Sequence, residues 1–126
     1  MNQEKTMNFI IRIEEAAITT LSIYFLTLHN LNLPIWALVL LFFSPDISIL
    51  AYLVNNRVGA IIYNLFHHRG LALTLLAIGF LTNLDVMITC SLILVAHSSF
   101  DRMLGYGLKF ADNFKHTSLG WMGKDK

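Results

Sequence analysis

Five titratable side chains stand out in an otherwise apolar chain: Glu14, Asp46, His67, His97 and Asp101. Imidazole nitrogens and carboxylate oxygens are donors suited to a divalent Zn, Fe or Mn ion. The same groups also suit a hydrogen-bonded or ionic core, or a polar lining for a substrate passage. His97 and Asp101 are spaced i, i+4, as are Tyr63 and His67, with Asn64 three residues before His67, so each set occupies one helix face. From that spacing Asp101 can orient the His97 imidazole or share a ligand with it. Arg12, Tyr63, Asn64, Arg102 and Tyr106 are the supporting candidates. Neither a His-Glu-x-x-His run nor a glutamate pair with repeated Glu-x-x-His is present, so the strongest metalloenzyme signatures are missing.

Positioning these groups falls to four apolar stretches: Ile10 to Leu28, Pro34 to Val54, Val58 to Phe80 and Val86 to Phe100. Each approaches the roughly 20 residues that cross a bilayer as a helix. The expectation is an all-α, four-helix transmembrane bundle with short loops and a cytoplasmic C-terminal tail, forming a single domain over residues 1–126. The first stretch reads as retained rather than as a removable signal peptide, because Arg12, Glu14 and Glu15 lie in it and no small-residue cleavage site follows. Asp46 lies eight residues before Val54, His67 ten after Arg57 and His97 eight before Gly105, which at ~1.5 Å per residue gives all three a similar depth. Glu14 lies shallower. A charge at the bilayer centre costs ~2.5 to 3.5 kcal/mol on insertion scales, so coincident depths favour one internal polar cluster. Ser44-Pro45 before Asp46 predicts a kink or a local loss of backbone hydrogen bonding.

Composition agrees with a membrane setting: of 126 residues 56% are hydrophobic and 13% charged, against roughly 25% charged in a soluble domain. Mean hydropathy is +0.60. A net charge of +1 without a basic face excludes nucleic acid as a partner and leaves membrane lipids, with a homo-oligomer as a further expectation. The lone Cys90 excludes an intramolecular disulfide and reads as a small buried hydrophobe. Lys5, Arg12, Arg57, Arg102, Lys109, Lys115, Lys124 and Lys126 fall at the termini and the middle loop, which places both termini on the cytoplasmic side of a multi-pass protein. Arg69, far from either end of its stretch, must snorkel, pair with an acid or line a polar cavity. The tail after Gly105 is expected either to fold back over the polar cluster, with Lys109 free for an anionic headgroup, or to be disordered.

Several blocks carry a resemblance: Arg12-Ile13-Glu14, the run from Phe43 to Leu53, Gly59 with the run from Tyr63 to His67, Ala96-His97, and the run from Phe100 to Phe110. With Phe114-Lys115 and Leu119-Gly120 they resemble the DUF4260 family of small bacterial integral membrane proteins. The resemblance implies a fold type and a location in the bacterial inner membrane, and no established reaction. Where the family pattern has an acid and then a histidine, this chain has His116 and Ser118. The stretch Phe66 to Gly70 is also faintly similar to a region of membrane-bound metal-dependent hydrolases. The leading expectation is an integral membrane protein that binds a small or lipid-like ligand at the polar cluster, with one divalent metal as its candidate cofactor. The alternatives are a divalent-metal-dependent membrane hydrolase and a structural or interaction subunit.

Overall fold

The computed structural model describes residues 2–123; Lys124 and Lys126, used above for orientation, lie outside the described residues. Among the described residues there are five α-helices: α1 (Gln3–Leu28), α2 (Ile35–Phe43), α3 (Asn56–His67), α4 (Arg69–Thr82) and α5 (Asp85–Met103). A 3-10 helix, Ser44–Leu53, continues α2, and a small antiparallel ribbon, β1 (His116–Thr117) with β2 (Gly120–Trp121), closes the chain.

The four-span bundle does not form as expected. Two segments are long and apolar enough to cross a membrane, Ile35–Leu53 and Asp85–Met103, and a third counts only if α3 and α4, bent by 42° at their junction, make one span. The causes are local. Every stretch of about 18 residues in α1 includes Arg12, Glu14 and Glu15, too many charges for a simple apolar span. The third apolar stretch breaks because His68 leaves helical geometry (ψ 104°) and turns its imidazole Nδ1 to accept from the Leu71 N–H at 3.0 Å, capping α4. Gly70 leaves room for that cap, since a Cβ there would fall 2.9 Å from the His68 ring.

Around α5 the other helices assemble. Ile88, Leu92 and Ile93 pack with Leu26 of α1, while Ser91, Ala96, Ser98 and Ser99 keep its surface small enough for close helix approach. The hydroxyls on these faces bond backbone carbonyls one turn back, as Ser91 does to Met87 and Thr19 to Glu15, so their burial leaves no unmet donor. α1 runs antiparallel to α5: the Thr89 hydroxyl donates to the His29 carbonyl at one end, and Arg12 and Arg102 line a common crevice at the other. By contrast, Ile35–Leu53 is only 11% buried, and its exposed Ile35, Leu40, Leu50 and Leu53 require an apolar surrounding. Cys90 is exposed, against the expectation of burial.

The 3-10 helix follows from Pro45. Without an N–H, Pro45 cannot bond the Leu41 carbonyl, which instead accepts from the Ser44 N–H and the Ser44 hydroxyl (2.6 Å). The Ser48 hydroxyl then donates to the Pro45 carbonyl at 2.7 Å and holds the tighter winding. This segment lies on α3 at Gly59, where a Cβ would sit 2.3 Å from the Tyr52 ring. The tail folds back and is ordered: the Asn64 amide accepts from the Lys109 N–H (2.7 Å) and donates to the Lys109 carbonyl (2.8 Å). Lys109 is buried rather than free for a headgroup; its Nζ donates to the Phe114 carbonyl at 2.9 Å and lies 4.7 Å from the Tyr63 ring centre. That burial lowers the affinity of its amine for a proton.

Candidate metal centre

Three elements deliver four ligand atoms to one point. Asp46 comes from the 3-10 helix, His67 from the last turn of α3, and His97 and Asp101 from successive turns of α5. His67 Nε2 lies 3.4 Å from Asp46 Oδ1 and 3.4 Å from Asp101 Oδ2. His97 Nε2 lies 3.1 Å from the same Asp46 oxygen and 3.5 Å from the same Asp101 oxygen. All four atoms lie within 4.8 Å of one another.

The hydrogen bonds on the far side of each imidazole decide what these atoms can do. His67 Nδ1 is 2.8 Å from the Tyr63 carbonyl, and His97 Nδ1 is 2.7 Å from the Phe42 carbonyl. A carbonyl only accepts, so each Nδ1 carries the proton, and in a neutral ring Nε2 is left as a lone pair. Two imidazole lone pairs then face two carboxylate oxygens with no proton among them. His67 Nε2 is buried without a hydrogen bond. Four converging lone pairs repel unless a cation stands between them, either protons on the imidazoles or a metal ion. For tetrahedral Zn with bonds of about 2.0 to 2.1 Å, neighbouring ligand atoms are separated by roughly 3.3 to 3.4 Å. The four N···O separations, 3.1 to 3.5 Å, bracket that value. The donor set therefore fits one divalent ion.

Supporting groups orient the ligands. Tyr63 stacks on His67 with ring centres 3.8 Å apart, and its hydroxyl donates to Asp101 Oδ2 at 3.2 Å. Phe42 meets His97 edge-on at 5.5 Å. The side chains of His67 and His97 are 3% and 2% exposed and that of Asp101 14%, whereas Asp46 is 42% exposed, so the centre opens on the Asp46 side.

The remaining candidates are placed elsewhere. Glu14 and Arg12 are exposed on α1, and neither belongs to the converging set. Asn64 ties the tail to α3, while Arg102 and Tyr106 line a narrow cleft beside His67 and Asp101. Glu15, adjacent to the residue singled out in the sequence, is the buried acid: it pairs with Arg69, which also donates to the Ser99 hydroxyl at 3.3 Å. Its spacing with Thr19, Ser22 and Leu26, all buried on one face of α1, is the signal that could have selected it over Glu14. Lys109 and Tyr52 were also missed, since their burial depends on the folded tail and on the 3-10 helix.

A family model described as a domain of unknown function, DUF4260, matches residues 8–122. No curated protein and no solved structure matches the chain. All four converging ligands and the residues that orient them fall inside the matched span, and the chain belongs to the DUF4260 family.

Proposed function

We propose that this protein is a divalent-metal-dependent membrane hydrolase. The observation that carries the reading is the convergence of four unprotonated donors at tetrahedral separations, with both imidazoles fixed in the tautomer a metal requires. A site that only selected a small ligand would need donors and acceptors of both kinds, and this cluster offers acceptors alone. The ligand-binding reading is therefore the weaker one.

The division of labour follows exposure. His67, His97 and Asp101 hold the ion, and Asp46, on the open side, accepts a proton from the attacking water. A bound divalent ion supplies Lewis acidity and brings the acidity of water close to neutrality. Tyr63 fixes Asp101 through its hydroxyl, and the Phe42 carbonyl fixes His97, so neither ligand must reorganise as charge develops. The substrate class is an ester or amide presented from the bilayer, because the apolar surface of Ile35–Leu53 surrounds the open side.

Hydrolysis of a chromogenic short-chain acyl ester in detergent micelles tests this. Activity should vanish on chelation, return with Zn, Fe or Mn, and be lost in His67→Ala. Asp46→Asn should lower the rate by about 10²- to 10⁴-fold, the range of a general base, while the bound ion stays. Activity unchanged by chelation and by both substitutions would contradict the proposal.

A further inference from the structure

Arg69 and Arg102 approach the polar centre from the same end, and Glu15 is the only buried carboxylate beside them among the described residues. Glu15 is committed to Arg69. Among the described residues no acid pairs with Arg102, and none pairs with Arg12. The half-buried Arg102 side chain lines the cleft next to His67 and Asp101, and it also lines the crevice that holds Arg12 and Asn8. Two guanidinium groups without counter-charge thus share an opening beside the candidate metal centre.

A second feature approaches from the opposite direction. An apolar groove of about 400 Å³ runs between α1, α2 and α5, lined by Ile23, Leu26, Leu38, Val39, Phe42 and Phe100. It reaches the centre directly, since the Phe42 carbonyl holds His97 and Phe100 precedes Asp101. Asp46 follows Phe43 by one turn of the 3-10 helix. On α1, Arg12 is eleven residues before Ile23, about three helical turns, so both occupy the same side of the helix roughly 16 Å apart along its axis. In order along one side of the molecule stand an apolar groove, the open side of the centre and an unpaired arginine pair.

We infer that the substrate is an anionic acyl lipid, with one acyl chain in the groove, its ester or amide carbonyl at the Asp46 side of the centre, and its anionic group on Arg12 and Arg102. The inference rests on the hydrolase reading and names its substrate class. Such a lipid has the required length and polarity order, and its charge complements the two guanidinium groups, for which a phosphate or carboxylate is the bidentate partner. Hydrolysis balances with one water: its oxygen adds to the acyl carbon, and the acyl C–O or C–N bond breaks. One proton passes through Asp46 to the departing alcohol or amine, and the other leaves the fatty acid to bulk water.

Native mass spectrometry of the metal-loaded full chain, with dodecyl phosphate, dodecylphosphocholine and inorganic phosphate as probes, tests this. Dodecyl phosphate should bind about ten-fold or more tightly than either other probe, and Arg12→Gln or Arg102→Gln should each weaken it about ten-fold, the scale of one charge-assisted hydrogen bond. Val39→Trp, which fills the groove and touches neither arginine, should weaken dodecyl phosphate without affecting inorganic phosphate. Equal retention of both dodecyl probes, or retention unaffected by the arginine substitutions, would overturn the inference. Inorganic phosphate binding as tightly as dodecyl phosphate would also overturn it, in favour of a free-phosphate site. Metal content read in the same spectra separates the two ideas: an intact metal complement with no preference for dodecyl phosphate rejects the lipid and leaves the hydrolase. Arginine-dependent retention in chain that takes up no metal rejects the hydrolase and leaves the lipid site.

Discussion

Tyr63 connects most of what surrounds the centre: its carbonyl fixes the His67 tautomer, its ring covers His67, its hydroxyl bonds Asp101, and Lys109 lies over its other face. Tyr63→Phe keeps the stacking and removes one hydrogen bond, so it should fold and bind metal about 10- to 100-fold more weakly, the usual effect of losing a ligand's outer partner. Competition with a chelator of known affinity measures this. At the tail, the hydrogen bond from His116 lowers the proton affinity of Asp112, aided by attraction between the two charges. The carboxyl is more acidic folded than unfolded, so its contribution is present above the unfolded aspartate value near ~3.9 and is lost as pH falls through the lower folded value. Amide exchange at Phe110, whose N–H donates to the His116 carbonyl, should therefore speed up in that acid range, and Asp112→Asn should remove the pH step. At this scale the matched depths of Asp46, His67 and His97 were legible, because a charge in an apolar helix has few places to go. Glu15 was not, because choosing between adjacent acids requires the helix to be set in rotation against α5.

The element that decides whether the four ligands meet is the 3-10 helix. A regular α-helix through Ser44–Leu53 would rotate Asp46 by about 100° per residue rather than the 120° of the tighter winding, changing its direction relative to α5. Its seat is the Tyr52–Gly59 contact. Gly59→Ala places a methyl inside the Tyr52 ring, an overpacking that typically costs ~1 to 3 kcal/mol. A lower midpoint of thermal unfolding in detergent, with weaker metal retention, is the expected result, and Tyr52→Leu in the same chain should recover part of both. His68→Ala removes the α4 cap at a cost of about 1 kcal/mol while leaving the metal affinity nearly unchanged, since His68 turns away from the centre. Pro45 announced an interruption in the sequence, yet its extension into a ten-residue 3-10 segment came from Ser44 and Ser48 capturing backbone carbonyls and from docking on α3. Hydrophobic periodicity does not record such local bonds.

For the whole molecule, counting apolar stretches located the helical regions but overstated the number of spans. The count treated α1 as apolar despite Arg12, Glu14 and Glu15, and treated α3 with α4 as one straight rod. Orientation rests on a feature independent of that count. Arg57 and Lys115 lie near the tail-covered end, where Asn56 bonds the Asp112 carbonyl, and the positive-inside tendency assigns that end to the cytoplasm. With Cys90 replaced by serine, an Asn113→Cys chain should react with a membrane-impermeant thiol reagent in inverted vesicles and not in intact cells; the reverse pattern would reject this orientation. The central claim concerns the ion itself, and elemental mass spectrometry of untagged protein purified without chelators tests it most directly. The account predicts about one Zn, Fe or Mn per chain, retained in Asp46→Asn and lost in His67→Ala and His97→Ala variants that remain monodisperse. Folded protein that stays metal-free after controlled addition of all three ions would contradict it, and would leave the two imidazoles as protonated partners of Asp46 and Asp101.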